Sequence, residues 1–348
     1  MTPWTSFFPW VNDYFPSWVQ SFFGVFIATL LVIVPLLTIF VYLSRKISAD
    51  IHARIGPAVV GPAGMFQPVA DLLKILQRHT VVKEAPLAPL IWFYLRWMIF
   101  FSTIAIIPLG FAASIFNSEL GILFFFWIVL AAMLATMFVG ISHGSAQGWF
   151  LGMQIWAQAV AGAFPASVTI VCAALHSGSF QWTMVVDQQG FSPLYWSAFS
   201  NPFQFISFLV FLSSGVALFG LSNILDGVFV YNDYGKGMRI ILSKLLYCYS
   251  IFLWSIMAVI LYLGAWNLPP RLISAATYIG GNPAVNITQL GCLFIKCFFL
   301  MLVMVFLNNA LPRRRSDQIT YYCWRILGPL SLLALFGEGV INIGGMLK

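Results

Sequence analysis

Eight long apolar runs recur along this chain, and they constrain its fold more than any other feature. A bilayer core about 30 Å thick is crossed by a helix of about 20 apolar residues, and each run is close to that length. Only 8% of the 348 residues are charged, whereas soluble domains carry roughly 25%. We therefore predict an all-α polytopic membrane protein, with 1–348 forming a single membrane domain. The predicted spans are 22–43, 90–114, 121–141, 150–176, 203–225, 240–264, 289–310 and 325–345.

Lysine and arginine are distributed unequally between the two ends of these spans. If the loops alternate sides, 13 of the 17 basic residues lie on the side of the loops 44–89, 226–239 and 311–324. The positive-inside rule then makes this basic side cytoplasmic. We predict a protein of a bacterial inner (cell) membrane, with an organellar inner membrane as the alternative. The net charge of +7 belongs to these loops, so we expect no nucleic-acid partner.

Three ionisable residues stand out inside the predicted spans, where a charge is costly and commonly functional. Arg96 is expected to extend its guanidinium toward the basic end of its helix. Lys296 lies deeper in its span, and we predict that it is a buried functional charge. Glu338 is the single carboxylate of the last span, and the four histidines show no metal-ligand spacing.

The loop 44–89 carries a helical pattern of its own. Apolar residues recur at helical spacing between Met65 and Leu76, with charged residues on the other faces. This pattern predicts an amphipathic helix over about 65–78 that lies at the membrane surface. The preceding RIGPAVVGPAG is rich in glycine and proline, which predicts an irregular backbone. Irregular backbone at membrane depth must be covered by protein or line a cavity.

Two segments resemble the H subunit family of respiratory complex I, called subunit 1 in mitochondria. ARIGPAVVGPAGMFQPVADLLKIL matches the family pattern R-x-G-P-x-x-x-G-P-x-G-x-x-Q-x-x-A-D-x-x-K. PRRRSDQITYYCWRILGP resembles the family's P-R-x-R-x-D-Q segment, and Lys296 falls at the family's lysine position. The chain is identified as a divergent member of this family.

The resemblance implies a non-catalytic membrane subunit of an NADH-quinone oxidoreductase, a translocase of the electron-transport chain. Such a subunit forms the membrane-side wall of a quinone pocket and docks the peripheral arm. We expect no metal or cofactor bound by this chain itself, and quinone only at the interface with partners. The expected partners are lipid and the other membrane-arm and peripheral-arm subunits. The candidates for pocket lining or docking are Arg45, Lys46, Arg54, Gln67, Asp71, Lys74, Arg313, Arg315, Asp317 and Gln318.

The sequence departs from the family where the family carries membrane carboxylates. Ser44, Ala163 and Ser214 stand in the segments where the resemblance implies glutamates. Asp226 and Asp233 are the possible residual coupling residues, and we expect them to be solvated loop charges or partners of a nearby basic residue such as Lys236 or Arg239. Because serine and alanine do not titrate, a proton path wholly within this chain is not expected.

Two alternative functions stay open at this stage. One is the corresponding subunit of a membrane-bound hydrogenase or ferredoxin-linked complex. The other is a stand-alone transporter that reuses the fold, which the retained PVADLLK and DQ segments disfavour.

Overall fold

The structure, a computed structural model, describes residues 34–77, 87–106, 118–142, 144–219, 237–310 and 315–346. Within these ranges there are twelve α-helices and no β-strand. In chain order they are α1 (Val34–Ile51), α2 (Gln67–Leu76), α3 (Leu87–Ile106), α4 (Gly121–Ser142), α5 (Ala146–Ser177), α6 (Trp182–Asp187), α7 (Ser197–Ser200), α8 (Pro202–Phe219), α9 (Gly237–Tyr262), α10 (Pro270–Ala310), α11 (Ser316–Tyr322) and α12 (Gly328–Met346).

Five helical segments are long and apolar enough to cross a membrane. They are Gly121–Ser142, Ala146–Ser177, Leu245–Tyr262, Thr288–Ala310 and Ser316–Gly344. Leu87–Thr103 and Pro202–Leu218 are apolar but shorter, and the spans predicted there run on into residues outside the described ranges. Since a helix satisfies its own backbone hydrogen bonds, it is a structure that lipid tolerates. The predicted all-α class is confirmed for the described residues.

Helix α9 is the centre of the bundle, since 89% of Leu245–Tyr262 is buried inside the protein. Helices α1, α8 and α10 pack against it. The Trp254 ring stacks on Phe211 of α8 with centroids 4.5 Å apart, and its indole N–H donates to the Phe211 carbonyl at 3.1 Å. A side chain at Gly215 would collide with this indole, so glycine permits the close contact of the two helices.

The last two membrane helices differ from their predicted limits. Helix α10 has 41 residues and begins at Pro270, well before the predicted start at 289. At 1.5 Å per residue it is roughly 60 Å long, about twice the hydrocarbon thickness. The segment 311–324, predicted as a loop, includes helix α11 and the start of a π-helical turn at Cys323–Leu327. This turn places Trp324 on the Phe164 ring, with centroids 5.0 Å apart.

The expectation for Arg96 was wrong. Its side chain does not extend to water, because the residue is 4% exposed. The guanidinium carbon lies 5.9 Å from the centroid of the Phe100 ring, one turn further along α3. Helices α4 and α9 pack against α3, so this arginine lies inside the bundle.

Candidate functional site

A cavity of about 420 Å³ opens at the basic end of the bundle. It lies between the last turns of α1, the early part of α9, the end of α10 and the irregular segment after α1. Its polar lining includes two of the predicted site residues, Arg45 and Arg54. The complete lining is Phe40, Ser44, Arg45, Ser48, Ala49, Arg54, Ile55, Gly56, Pro57, Tyr247, Cys248, Val305, Asn308 and Asn309.

The irregular segment owes its course to glycines that accept a left-handed backbone. Gly61 and Gly64 have φ values of +77° and +81°, a region that L side chains rarely adopt. A Cβ at Gly64 would also lie 2.4 Å from the carbonyl carbon and oxygen of Pro57. The Tyr42 hydroxyl of α1 donates to the Ala63 carbonyl at 2.9 Å, which ties the segment to the bundle. The two motif glycines therefore bring the chain back against Pro57 at the cavity wall.

An ion pair between two of the predicted residues joins helix α2 to α1, and a third predicted residue supports it from within α2. Arg45 forms an ion pair with Asp71, and the Gln67 amide donates to the other Asp71 oxygen at 3.1 Å. The Arg45 and Asp71 side chains are 38% and 31% exposed. An ion pair this exposed contributes about 1 kcal/mol or less to stability. Its effect is to orient the Arg45 guanidinium, which lines the cavity.

The remaining candidates lie elsewhere on α1 and α2, at the start of α11, or outside the described residues. Lys46 lies on α1, where its Cδ is 3.2 Å from the Cβ position of Gly56. Lys74 is exposed on α2. Arg315, Asp317 and Gln318 are exposed at the start of α11, where the Gln318 amide oxygen accepts from the Arg315 backbone N–H at 3.2 Å. Three further candidates, Arg313, Asp226 and Asp233, lie outside the described residues.

Lys296 is half-buried and lies far from the cavity. Its ammonium donates to the carbonyls of Leu263 and Ala265 at 2.8 and 3.0 Å, just after α9 ends. It also lies 4.9 Å from the centroid of the Trp196 ring. A cation is favourable at a helix C-terminus, where carbonyls lack helical partners. The cavity lining on α9 begins at Tyr247, roughly 24 Å from this cap by helical rise.

Two polar contacts at the end of the bundle opposite the cavity were not predicted from the sequence. The buried Gln189 side chain accepts from the Gly264 backbone N–H at 2.6 Å and donates to the Leu261 carbonyl at 3.1 Å. Glu338 is not isolated, because His176 contacts it at 2.7 Å. These pairs are 75 and 162 positions apart. The only signal in the sequence was that a glutamate and a histidine each stand in a predicted span.

Several apolar helices of membrane-crossing length, joined to a basic segment that closes a cavity at one end, define a polytopic integral membrane protein. The family model described as NADH dehydrogenase matches residues 24–337. The chain belongs to this family, and the resemblance found in the two motif segments is confirmed.

Two curated relatives agree with this assignment. The H subunit of the NADH-quinone oxidoreductase from Chlorobaculum parvum is 31% identical over 320 residues, covering 86% of each chain. The H subunit of the same enzyme from Chlorobaculum tepidum is 31% identical over 324 residues, again covering 86% of each chain. The similarity thus spans the greater part of both chains.

Proposed function

We propose that this chain is the membrane subunit of a complex I-like NADH-quinone oxidoreductase and that its cavity forms the membrane-side wall of a quinone pocket. The observation that carries the proposal is the position of the cavity, which the matched segment from Arg54 to Pro57 lines. The names of the two relatives support the enzyme class over a hydrogenase-type complex or a stand-alone transporter.

The chemistry of the lining suits a quinone. Two arginines and the hydroxyl of Ser48 are donors for ring carbonyls, while Phe40 and Val305 offer apolar contact to the ring and tail. A volume of about 420 Å³ is within the usual range of small-molecule sites. The chain needs no redox centre of its own, because a partner subunit would supply the electrons across the open side of the cavity.

The proposed topology has eight spans, with the basic loops in the cytoplasm of a bacterial cell. Helix α2 would lie at the membrane surface as an interfacial helix. This is supported by an exposed apolar stripe at Phe66, Val69 and Leu73, with Asp71 and Lys74 on the other faces. We propose the other membrane-arm and peripheral-arm subunits, lipid and quinone as the partners of this chain.

The proposed coupling role is reduced relative to the family. Ser214 is buried and donates to the Phe211 carbonyl at 2.7 Å, so its hydroxyl is already used within the helix. Ser44 likewise donates to the Val41 carbonyl at 2.9 Å. Neither side chain can carry a proton as a carboxylate does, which supports the loss of the family's entry cluster at these two positions.

Filling the cavity tests the proposed pocket. Ser48 is half-buried and lines the cavity, so Ser48→Phe places a phenyl ring where the quinone head group would lie. We expect the KM for quinone in the purified complex to rise at least about tenfold, which corresponds to about 1.4 kcal/mol of lost binding. Ser102→Phe is the matched control, because Ser102 is exposed on α3 and does not line the cavity. Equal KM values for the two variants and the unmodified complex would contradict the pocket.

Charge reversal tests the docking surface. Lys74 and Arg315 are exposed on the two matched segments, and a peripheral arm would cover both. The double variant Lys74→Glu, Arg315→Glu should reduce the yield of intact complex on blue-native gels by half or more, because two carboxylates would replace the cations through which the peripheral arm is proposed to dock. Arg271→Glu, on the opposite predicted side, should assemble normally. Full assembly of the double variant would refute docking at this surface.

A further inference from the structure

A buried carboxylate lies near the end of the bundle opposite the cavity. Glu338 of α12 is 0% exposed, and one of its oxygens is 2.7 Å from Nδ1 of His176 at the end of α5. The Asn201 amide approaches the same oxygen at 3.5 Å. The other oxygen, Oε2, has no hydrogen-bond partner among the described residues. A carboxylate so enclosed must be paired or protonated, because burying a lone charge is very costly.

The histidine connects this carboxylate to the surface. The His176 side chain is 27% exposed, so the imidazole reaches from solvent-accessible surface to a fully buried acid. Its Nε2 lies 3.4 Å from the hydroxyl of the exposed Ser200, on the side away from Glu338. An imidazole with one nitrogen on each side can accept a proton on one and release a proton from the other.

The described helices that pack around Glu338 supply no permanent positive charge to balance it. Helices α5, α7, α8 and α12 contain no lysine or arginine, and their other titratable group is Cys172, one turn inward on α5. The Gln204 amide donates to the Cys172 carbonyl at 3.1 Å, and its own oxygen has no partner among the described atoms. Further in, the Tyr262 hydroxyl of α9 contacts Ser207 at 2.7 Å. Unpartnered buried oxygens of this kind are places where water binds.

We propose that His176 and Glu338 form a proton-binding site that exchanges protons with water at the non-basic face of the membrane. Before the site takes up a proton, the imidazole carries its own proton on Nδ1 and the carboxylate is ionised. A hydronium ion at the surface then gives a proton to Nε2 and becomes water, the Nδ1–H bond breaks, and the proton from Nδ1 forms an O–H bond on Glu338. One proton is taken up, the imidazole changes tautomer, and the buried acid becomes neutral.

This site differs from the carboxylate cluster that the family resemblance implies, since it lies at the opposite end of the helices. It also does not depend on the proposed quinone pocket. The proposed site exchanges protons with one face of the membrane only. It is therefore compatible with the expectation that no complete proton path lies within this chain. A purely structural role for the pair, as a clamp between α5 and α12, is the alternative that an experiment must separate.

Infrared difference spectroscopy of the purified full-length complex separates the two roles. As the pH is lowered between roughly pH 9 and pH 4, a carboxylic-acid C=O band that shifts in D₂O should appear. Glu338→Gln should remove the part of this band equal to one carboxyl group per chain. Glu119→Gln, which changes an exposed carboxylate, should leave that buried component in place.

His176→Gln keeps the acid but removes the relay, which makes the test independent of whether Glu338→Gln folds. We expect this variant to retain the band, to move its titration midpoint by about one pH unit or more, and to slow its appearance after a pH jump. A static clamp predicts no titrating band that depends on Glu338. Absence of that band, or an unchanged midpoint and rate in His176→Gln, would overturn the proposal.

Discussion

Replacing Gly64 with alanine should remove most quinone reductase activity from the assembled complex. The residue has a φ of +81°, and an added Cβ would lie 2.4 Å from the carbonyl group of Pro57. The left-handed conformation alone costs an alanine about 1 to 2 kcal/mol. The clash is with backbone, which cannot rotate away as a side chain can, so the wall containing Arg54 and Gly56 must shift. The measurement is turnover at saturating quinone, together with the KM.

Gly144→Ala provides the matched control for this experiment. Gly144 has a φ of +68°, close to that of Gly64, but nothing lies within 4 Å of its Cβ position. It lies in the turn between α4 and α5 and does not line the cavity. We expect a loss of stability of about 1 kcal/mol and near-normal turnover. If both variants lost activity equally, the backbone conformation would explain the effect and the contact with Pro57 would not.

Lys296→Met should destabilise the isolated chain in detergent by about 3 kcal/mol. The substitution keeps an unbranched apolar side chain of similar length, but it leaves the carbonyls of Leu263 and Ala265 without the ammonium that they accept from. The turn there has little freedom to adjust, because Ala265 has an unusual φ of +28°. Unfolding can be followed with a thiol-reactive dye, since the adjacent Cys297 is fully buried.

Lys74→Met is the control for the lysine cap, because Lys74 is exposed on α2 and its replacement should change the Tm very little. Turnover of the Lys296→Met complex, compared with that of the unmodified complex, provides the second measurement. A Lys296→Met protein with normal Tm but impaired turnover would show that the ammonium is a functional charge, as the sequence first suggested. A lowered Tm with a proportionate loss of activity would show that the ammonium stabilises the C-terminal end of α9.

The sequence was enough to predict several residues of the candidate site, but it was not enough to predict the contacts between them. The glycine-proline pattern correctly indicated an irregular backbone beside a cavity, because such a backbone must be buried or line one in a membrane. The pattern did not indicate that Arg45 pairs with Asp71, or that the end of α10 supplies Asn308 and Asn309. Those contacts join segments that are remote in the chain, and no periodicity encodes them.

The sequence by itself determined that this chain is helical and lies in a membrane. Lipid offers no hydrogen bonds to the backbone, so an apolar run of sufficient length has helix as its local solution. Tertiary structure decided what each polar side chain inside the bundle contacts. Arg96 lies inside the bundle, Lys296 caps α9, and Glu338 meets His176 across 162 positions. Each outcome depends on which helix faces pack together. A uniformly apolar helix face does not indicate which other helix it will contact.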